Sequence, residues 1–271
     1  MKTPVFSNAA KIAVIITAIV LGLGTGNGVF GEDTPATTGD AAQTPAPDLN
    51  AGLALYFSFD AVAEEAGLTK ITDQSGNGNV GVLSGGKLVD AKFGKALECK
   101  YENIGDGVVV NDSNSLDLDA VTIAAWIKTS KLDDQWNRIL DKGWQSAYNL
   151  CIGGEYKGQR YQEKTTFECA GCSMTSKTSI VDGQWHLIVG SYDGQFQKLY
   201  IDSKLDNKWK MKKTVPMKHN DNVLTIGRLA VMEVPPYDKP FFDGLIDEVR
   251  LYNRVLSDEE VQMLSQYQPV N

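Results

Sequence analysis

From Leu53 onward, apolar residues come in short runs separated by Gly, Asp and Asn rather than at helical spacing. Leu55-Tyr-Phe-Ser-Phe59, Gly107-Val-Val-Val110 and Val121-Thr-Ile-Ala-Ala-Trp-Ile127 are rich in strand-forming residues and too short for helices. Trp185-His-Leu-Ile-Val189, Lys198-Leu-Tyr-Ile201, Val223-Leu-Thr-Ile226 and Gly244-Leu-Ile-Asp-Glu-Val-Arg-Leu-Tyr252 continue the series. Asp182-Gly183 and Asp193-Gly194 fall between them, where glycine adopts positive φ at little cost. Many strands without intervening helices predict an all-β sandwich or barrel. The 121–127 run is apolar at successive positions, so it is expected to be an inner strand covered by loops on both faces. One helix is predicted. Ser257-Asp-Glu-Glu260 is a capping box followed by Val261, Met263 and Leu264, and this helix is expected to close an edge of the sandwich. No composition break occurs between 53 and 267, so residues 53–271 are read as one domain.

Ahead of that body, Lys2 and Lys11 precede the apolar run Ile12 to Gly24, and small residues follow at Val29 and Gly31. A positive start, an apolar stretch of this length and a small-residue exit predict a secretory signal over 1–31, cut near Gly31/Glu32. An uncleaved membrane anchor is the alternative, and the run carries no Cys for acylation. Residues 32–52 begin with a Thr-, Pro- and Ala-rich stretch that cannot bury enough apolar surface to fold, and they are expected to be a tether. A secreted or surface location, or the periplasm, follows. The chain has 271 residues, 42% hydrophobic, which is ordinary for a globular protein. Its net charge is −8, moving to −10 without the leader, which disfavours nucleic acid as a partner. Two histidines, His186 and His219, leave little for histidine catalysis or zinc.

Several motifs in order resemble the laminin-G-like, concanavalin A-like jelly-roll family of secreted bacterial proteins. They are Leu55-Tyr-Phe-Ser-Phe-Asp60, Asp73-Gln-Ser-Gly-Asn-Gly-Asn79, Phe93-Gly-Lys-Ala-Leu97, Ser115-Leu-Asp-Leu118 with Val121 to Trp126, and Asp182-Gly-Gln-Trp-His186. Asp193-Gly194 with Lys198-Leu-Tyr-Ile-Asp202, and the run from Phe242 to Glu260, complete the set. The resemblance covers about Leu53 to Tyr267 and implies an antiparallel two-sheet jelly roll with one short C-terminal helix. Two departures stand out: Leu187 follows His186 where the family often has a second His, and Asp202-Ser203-Lys204 replaces an Asp-Gly turn. The fold hosts lectins, glycan-binding appendages, adhesion modules and some glycosidases, so it does not name an activity.

Glycoside hydrolysis needs two carboxylates converging on one bond. Asp247 and Glu248 are adjacent, so a regular strand sends them to opposite faces, and their same-face neighbours Leu245, Val249, Ile246 and Arg250 include no acid. No nucleophile elbow, phosphate loop or His-Glu metalloprotease motif occurs. A non-enzymatic protein is expected. Calcium wants six to eight hard oxygens, which the Gly-punctuated loop from Asp73 to Asn79 offers. The resemblance implies a bound calcium near the acid matching Asp247 and the early strand acid, so Asp60, Asp73, Asn77, Asn79 and Asp247 are nominated as its ligands. The competing reading is that these groups only satisfy turn and backbone hydrogen bonds.

Four cysteines, Cys99, Cys151, Cys169 and Cys172, suggest two disulfides in a secreted chain, with three possible connectivities. A bridge from Cys151 to Cys169 or Cys172 would close a hairpin, leaving Cys99 the remainder. A redox pair at Cys169-Ala-Gly-Cys172 lacks the helix start that such chemistry uses. Sugar recognition needs exposed aromatic planes with amides and carboxylates nearby. Trp126 and Trp185 read as core, whereas Trp136, Trp144, Tyr156, Tyr161, Trp209 and Tyr237 lie in polar contexts; Trp136, Trp144, Tyr156 and Tyr237 are the chosen ligand contacts. The lysines of Lys208-Trp-Lys-Met-Lys-Lys213 read as a solvated hairpin, and His186 as structural. The expected protein is a binding module for a glycan or glycoprotein, with an adhesive protein that binds surface proteins as the alternative and a glycosidase as the third reading.

Overall fold

A computed structural model of the chain describes residues 47–100, 103, 105–131, 136–143, 147–156, 159–160, 163–229 and 242–266, with backbone alone at 155, 156, 159 and 160. The expected leader and most of the expected tether lie outside them. In chain order the strands are β1 (Leu53–Phe57), β2 (Val62–Glu65), β3 (Leu68–Ile71), β4 (Gly81–Gly85), β5 (Lys87–Ala91), β6 (Gly94–Cys99), β7 (Gly107–Val110), β8 (Val121–Lys128), β9 (Trp136–Asp141) and β10 (Tyr148–Gly153). They continue with β11 (Glu155–Tyr156), β12 (Gln159–Arg160), β13 (Lys164–Cys169), β14 (Cys172–Ser179), β15 (Trp185–Tyr192), β16 (Phe196–Ile201), β17 (Lys204–Lys210), β18 (Leu224–Ile226) and β19 (Gly244–Tyr252), and helix α1 (Asp258–Gln266) follows.

Two antiparallel sheets carry the fold. The first has the order β17-β16-β15-β8-β19-β6-β5, with β1 also paired to β19. The second runs β14-β13-β10-β9-β18-β7-β4-β3-β2. Strand alternation sends Leu55, Phe57, Ile123, Ile127, Ile188 and Leu251 of the first sheet and Val108, Leu150, Ile152, Phe167 and Ile226 of the second into one shared core. The sheets meet closely at Gly190, where an added Cβ would lie 2.7 Å from the Phe167 ring, so no larger residue fits without displacing it.

The 121–127 strand has both faces covered, as its composition implies, but the cover on one face is a helix. Ala124 and Trp126 pack with Leu187, Val189, Tyr200 and Tyr252 against Leu256, Val261 and Leu264. Helix α1 therefore lies on the outer face of the first sheet rather than at its edge. The capping box forms as read: Glu260 N–H donates to Ser257 Oγ at 3.2 Å and Ser257 N–H donates to Glu260 Oε2 at 2.8 Å. Residues 48–52, inside the segment read as tether, are held by the same region. The Arg254 guanidinium donates to Asp48 O at 2.7 Å and Ala51 O at 2.6 Å, and pairs with Glu260 at 2.8 Å. No helix among the described residues is long and apolar enough to cross a membrane.

Candidate functional site

The outer face of the second sheet carries a row of polar side chains where β9, β10 and β13 lie side by side. On β10, Leu150 and Ile152 enter the core, so Asn149 and Cys151 point away from it. Register then places Asp141 of β9 and Glu168 of β13 on either side of Asn149, and Arg138 and Thr166 on either side of Cys151. A bulge in β9, between the Leu150 and Cys151 pairings, keeps both Ile139 and Leu140 in the core while Arg138 and Asp141 stay outside.

The row is tightly bonded. Arg138 Nη1 donates to Asn149 Oδ1 at 3.1 Å, Asn149 Nδ2 donates to Glu168 Oε2 at 2.7 Å, and Ser173 Oγ donates to Glu168 Oε1 at 2.6 Å. Arg138 lies 3.8 Å from Glu168. Although these side chains face away from the core, Asn149 and Asp141 are 0% exposed and Arg138 is 5% exposed, so this part of the sheet is recessed. Burial works against the Arg138 charge, but Cys151, Asp141 and Glu168 outweigh it and hold the guanidinium above its ordinary value. Arg138 Nε–H is buried with no hydrogen-bond partner, an unused donor in a polar recess.

Trp136 lies two residues before Arg138 on the same side of β9, with its ring against the backbone of Gly154. Among the four expected aromatic contacts it is the one the structure describes with its side chain, half-buried at the end of the polar row. Trp144 and Tyr237 lie outside the described residues, as does the side chain of Tyr156. The sequence reading missed Asp141, Asn149 and Glu168; their signal is polar residues alternating with Leu150, Ile152 and Phe167 in otherwise buried strands.

The five expected calcium ligands separate into two places. Asp73 Oδ1 accepts N–H groups from Tyr56 and Ser75, and Oδ2 accepts from the Asn79 backbone and amide, at 2.9–3.2 Å. Asn79 Oδ1 accepts from Ser113 and Ser115, and the Asn77 amide donates to Leu53 O. These groups lock the turn against β1, so the side-chain oxygens of Asp73 and Asn79 are already used. Asp60 and Asp247 lie elsewhere, within electrostatic reach of each other. Asp60 Oδ1 accepts the Lys95 N–H at 2.6 Å, whereas Asp247 Oδ2 is buried with no partner. Burial, then Glu248, pushes the Asp247 carboxyl up to about 8. No group of three or more His, Cys, Asp or Glu among the described residues is arranged to hold a metal.

The expected separation of Asp247 and Glu248 onto opposite faces does not occur. Glu248 takes φ +52 in a β-bulge between Asp247 and Arg250. Its carboxylate pairs with Arg250 at 2.6 Å and accepts from Tyr56 Oη at 2.9 Å, on the same outer side of the first sheet as Asp247. Both acids are at most 1% exposed, so a polysaccharide reaches neither.

The cysteines form no disulfide. Register explains why Cys151 bridges neither expected partner on this ladder: it pairs with Thr166, three residues from the Cys169–Tyr148 pair. Three residues separate the sulfurs' Cα atoms by about 10 Å along the strands, beyond the roughly 7 Å that a bridge tolerates. Cys169 and Cys172 are direct partners across the Ala170-Gly171 turn, and Cys99 sits on β6 in the other sheet. Burial raises the thiols of Cys99, Cys151 and Cys169, which suits inert buried residues. His186 is held between Asp202 at 2.8 Å and Asp182 at 3.1 Å.

The family model described as the concanavalin A-like lectin/glucanases superfamily matches residues 102–262. No curated protein matches the sequence. Among solved structures, domain 4 of an extracellular GH43 arabinanase from Geobacillus stearothermophilus, in complex with arabinotriose, is 20% identical with a TM-score of 0.57, over 79% of this chain and 98% of that one. The binding domain of Paraclostridial Mosquitocidal Protein 1 is 16% identical with a TM-score of 0.58, over 80% of this chain and 52% of that one. The ligand binding domain of botulinum neurotoxin serotype D, in complex with N-acetylneuraminic acid, is 15% identical with a TM-score of 0.56, over 80% of this chain and 51% of that one. The chain thus spans about half the length of the toxin domains and nearly all of the arabinanase domain. At these identities the likeness establishes the two-sheet fold, in agreement with the observed strand order. The chain belongs to the concanavalin A-like lectin/glucanases superfamily.

Proposed function

We propose that the protein is a non-catalytic glycan-binding module whose ligand enters the recess over β9, β10 and β13. The observation that carries this is the buried polar row Arg138–Asn149–Glu168 on a sheet face turned away from the core, with the Trp136 ring at its end. Sugars present alternating hydroxyl donors and acceptors around an apolar ring face. The indole offers a plane for that face, and Glu168, whose side chain is 12% exposed, accepts from a hydroxyl, while the buried Arg138 and Asn149 hold that carboxylate in place. The fold's occurrence in a domain solved with arabinotriose and in one solved with N-acetylneuraminic acid supports a carbohydrate ligand over other small molecules.

Secretion through a cleaved leader at 1–31, with a tether ahead of the domain, completes the proposal. Calcium belongs to it at one place, the Asp60–Asp247 pair, because Asp247 Oδ2 is a buried carboxylate oxygen without a hydrogen-bond partner. A glycan-array profile of the full chain, run with calcium and again with chelator, tests the reading. Saturable binding to a defined glycan is expected. A blank array moves the function to protein partners at the cell surface, and turnover of a polysaccharide overturns the non-catalytic reading.

A further inference from the structure

Between residues 198 and 213 the chain holds six lysines against two aspartates, inside a protein of net charge −8. Strand β17, the terminal strand of the first sheet, carries Lys204, Lys208 and Lys210, and Lys212 and Lys213 follow it directly. Lys208 pairs directly with Lys198, and Lys210 with Phe196. Lys208 and Lys210 sit over the Phe196 ring at 4.8 and 5.3 Å from its centroid. Lys198 has a partner in Asp258 at 3.5 Å, whereas Lys208, Lys210, Lys212 and Lys213 form no ion pair among the described residues. Trp209, between two of these lysines, is 48% exposed on the opposite side of the strand.

Two aspects of this strip carry a cost to the fold. Like charges directly opposed across two strands destabilise the pair, and Lys198–Lys208 is such a pair. A half-exposed indole on an edge strand also leaves apolar surface in water. Near the start of β17 the edge is closed by the chain itself: Asp206 accepts the Lys177 and Thr178 N–H groups, and Asn207 Nδ2 donates to Thr175 O. From Lys208 onward those side-chain ties to β14 stop, and the lysines and Trp209 begin.

We propose that this strip is a second binding site, separate from the recess, for a linear anionic polysaccharide built of sulfated or uronic-acid sugars. Unpaired ammonium groups at alternate positions along an extended strand match a polymer with charges repeated along its length. The exposed Trp209 ring supplies a plane for an apolar sugar face. A lipid surface is the poorer fit, because the lysines and the indole flank one narrow edge, where Leu205 and Trp209 are the large exposed apolar side chains among the described residues of the strip and Met211 is 6% exposed, too little apolar surface to insert. The strip does not depend on the recess, so the two can fail separately.

The test is binding of the full chain to heparin and to polygalacturonate, with dextran and phosphatidylserine vesicles as comparators, at low and at physiological salt. Both anionic polymers are expected to bind, about tenfold more weakly at the higher salt because exposed charges are screened. The Lys208→Glu/Lys210→Glu double variant should lose at least about tenfold while melting normally, since both side chains are exposed, and Trp209→Ala should weaken binding without changing its salt dependence. Lys208→Gln/Lys210→Gln should fall between. Equal binding of wild type and the charge-reversed variant, or absence of binding to both polymers at low salt, overturns the proposal. Vesicle binding that exceeds polymer binding also overturns it and assigns the strip to a membrane surface.

Discussion

Trp136 and His186 were the sequence's clearest single-residue questions, and the structure gives them different kinds of answer. Trp136 lies over Gly154 at the end of the polar row, with its ring half-buried and the rest open to a ligand. His186 is structural: its ring nitrogens are bonded to Asp202 and Asp182, and Asp202 also accepts the Leu187 N–H at 3.0 Å, which ties the end of β16 to β15. Burial opposes the imidazolium charge, and the bonds to Asp202 and then Asp182 outweigh it, so the His186 pKa is raised. A raised histidine contributes stability that is fully present below its unfolded value of about 6.5 and is lost as pH rises through the folded value. The melting difference between wild type and His186→Gln should therefore be larger at about pH 5.5 than at about pH 8.5. Equal differences at the two pH values would show that the clasp is not charged.

At the scale of elements, the capping box and the strands were legible because each rests on local chemistry. Ser257 and Glu260 exchange the two hydrogen bonds that their spacing implies, and Ser257→Ala should cost about 1 kcal/mol, measured by denaturant unfolding. An unchanged midpoint would mean that α1 is held by Val261 and Leu264 alone. Where α1 packs was not legible. An amphipathic helix shows which side is apolar but not which sheet receives it, and the receiving surface, Ala124 and Trp126, also reads as an ordinary buried strand. Bulges escaped for a similar reason. Glu248 at φ +52 breaks the alternation that sends Asp247 and Glu248 apart, and acidic side chains at positive φ leave no signature in sequence. The cysteines depended on register, which a count of thiols does not contain. Alkylation under non-reducing conditions should find no link from Cys151 to Cys169 or Cys172, and any bridge formed under oxidising conditions should join Cys169 to Cys172. A Cys151 crosslink would contradict the β10–β13 register.

Over the whole molecule, alternation and turn chemistry repeat along the chain and agree on an all-β sandwich or barrel, and the resemblance carried by the ordered motifs narrowed that to a two-sheet jelly roll. The recess was not legible, since it is assembled from three strands brought side by side: Trp136 could be picked out by its polar context, but Asn149 and Glu168 gain meaning only when β10 lies between β9 and β13. The calcium set divided for the same reason, sequence proximity having grouped Asp73, Asn77 and Asn79 into a turn where Asp73 accepts backbone N–H groups and Asn79 accepts serine hydroxyls. If a calcium ion is held at Asp60 and Asp247, millimolar calcium should raise the melting temperature relative to chelator, and Asp247→Asn should abolish the response, since a ligand that binds only the folded state stabilises it. No shift in the wild type would remove the metal from the account. The central claim is that the recess binds a sugar against Trp136. The most direct measurement is a titration of wild type and Trp136→Ala with the strongest glycan from the array, each checked for a normal thermal transition. The account predicts affinity weaker by about tenfold or more in the variant, the scale of one lost aromatic contact. Equal affinities would place the ligand elsewhere on the molecule and contradict it.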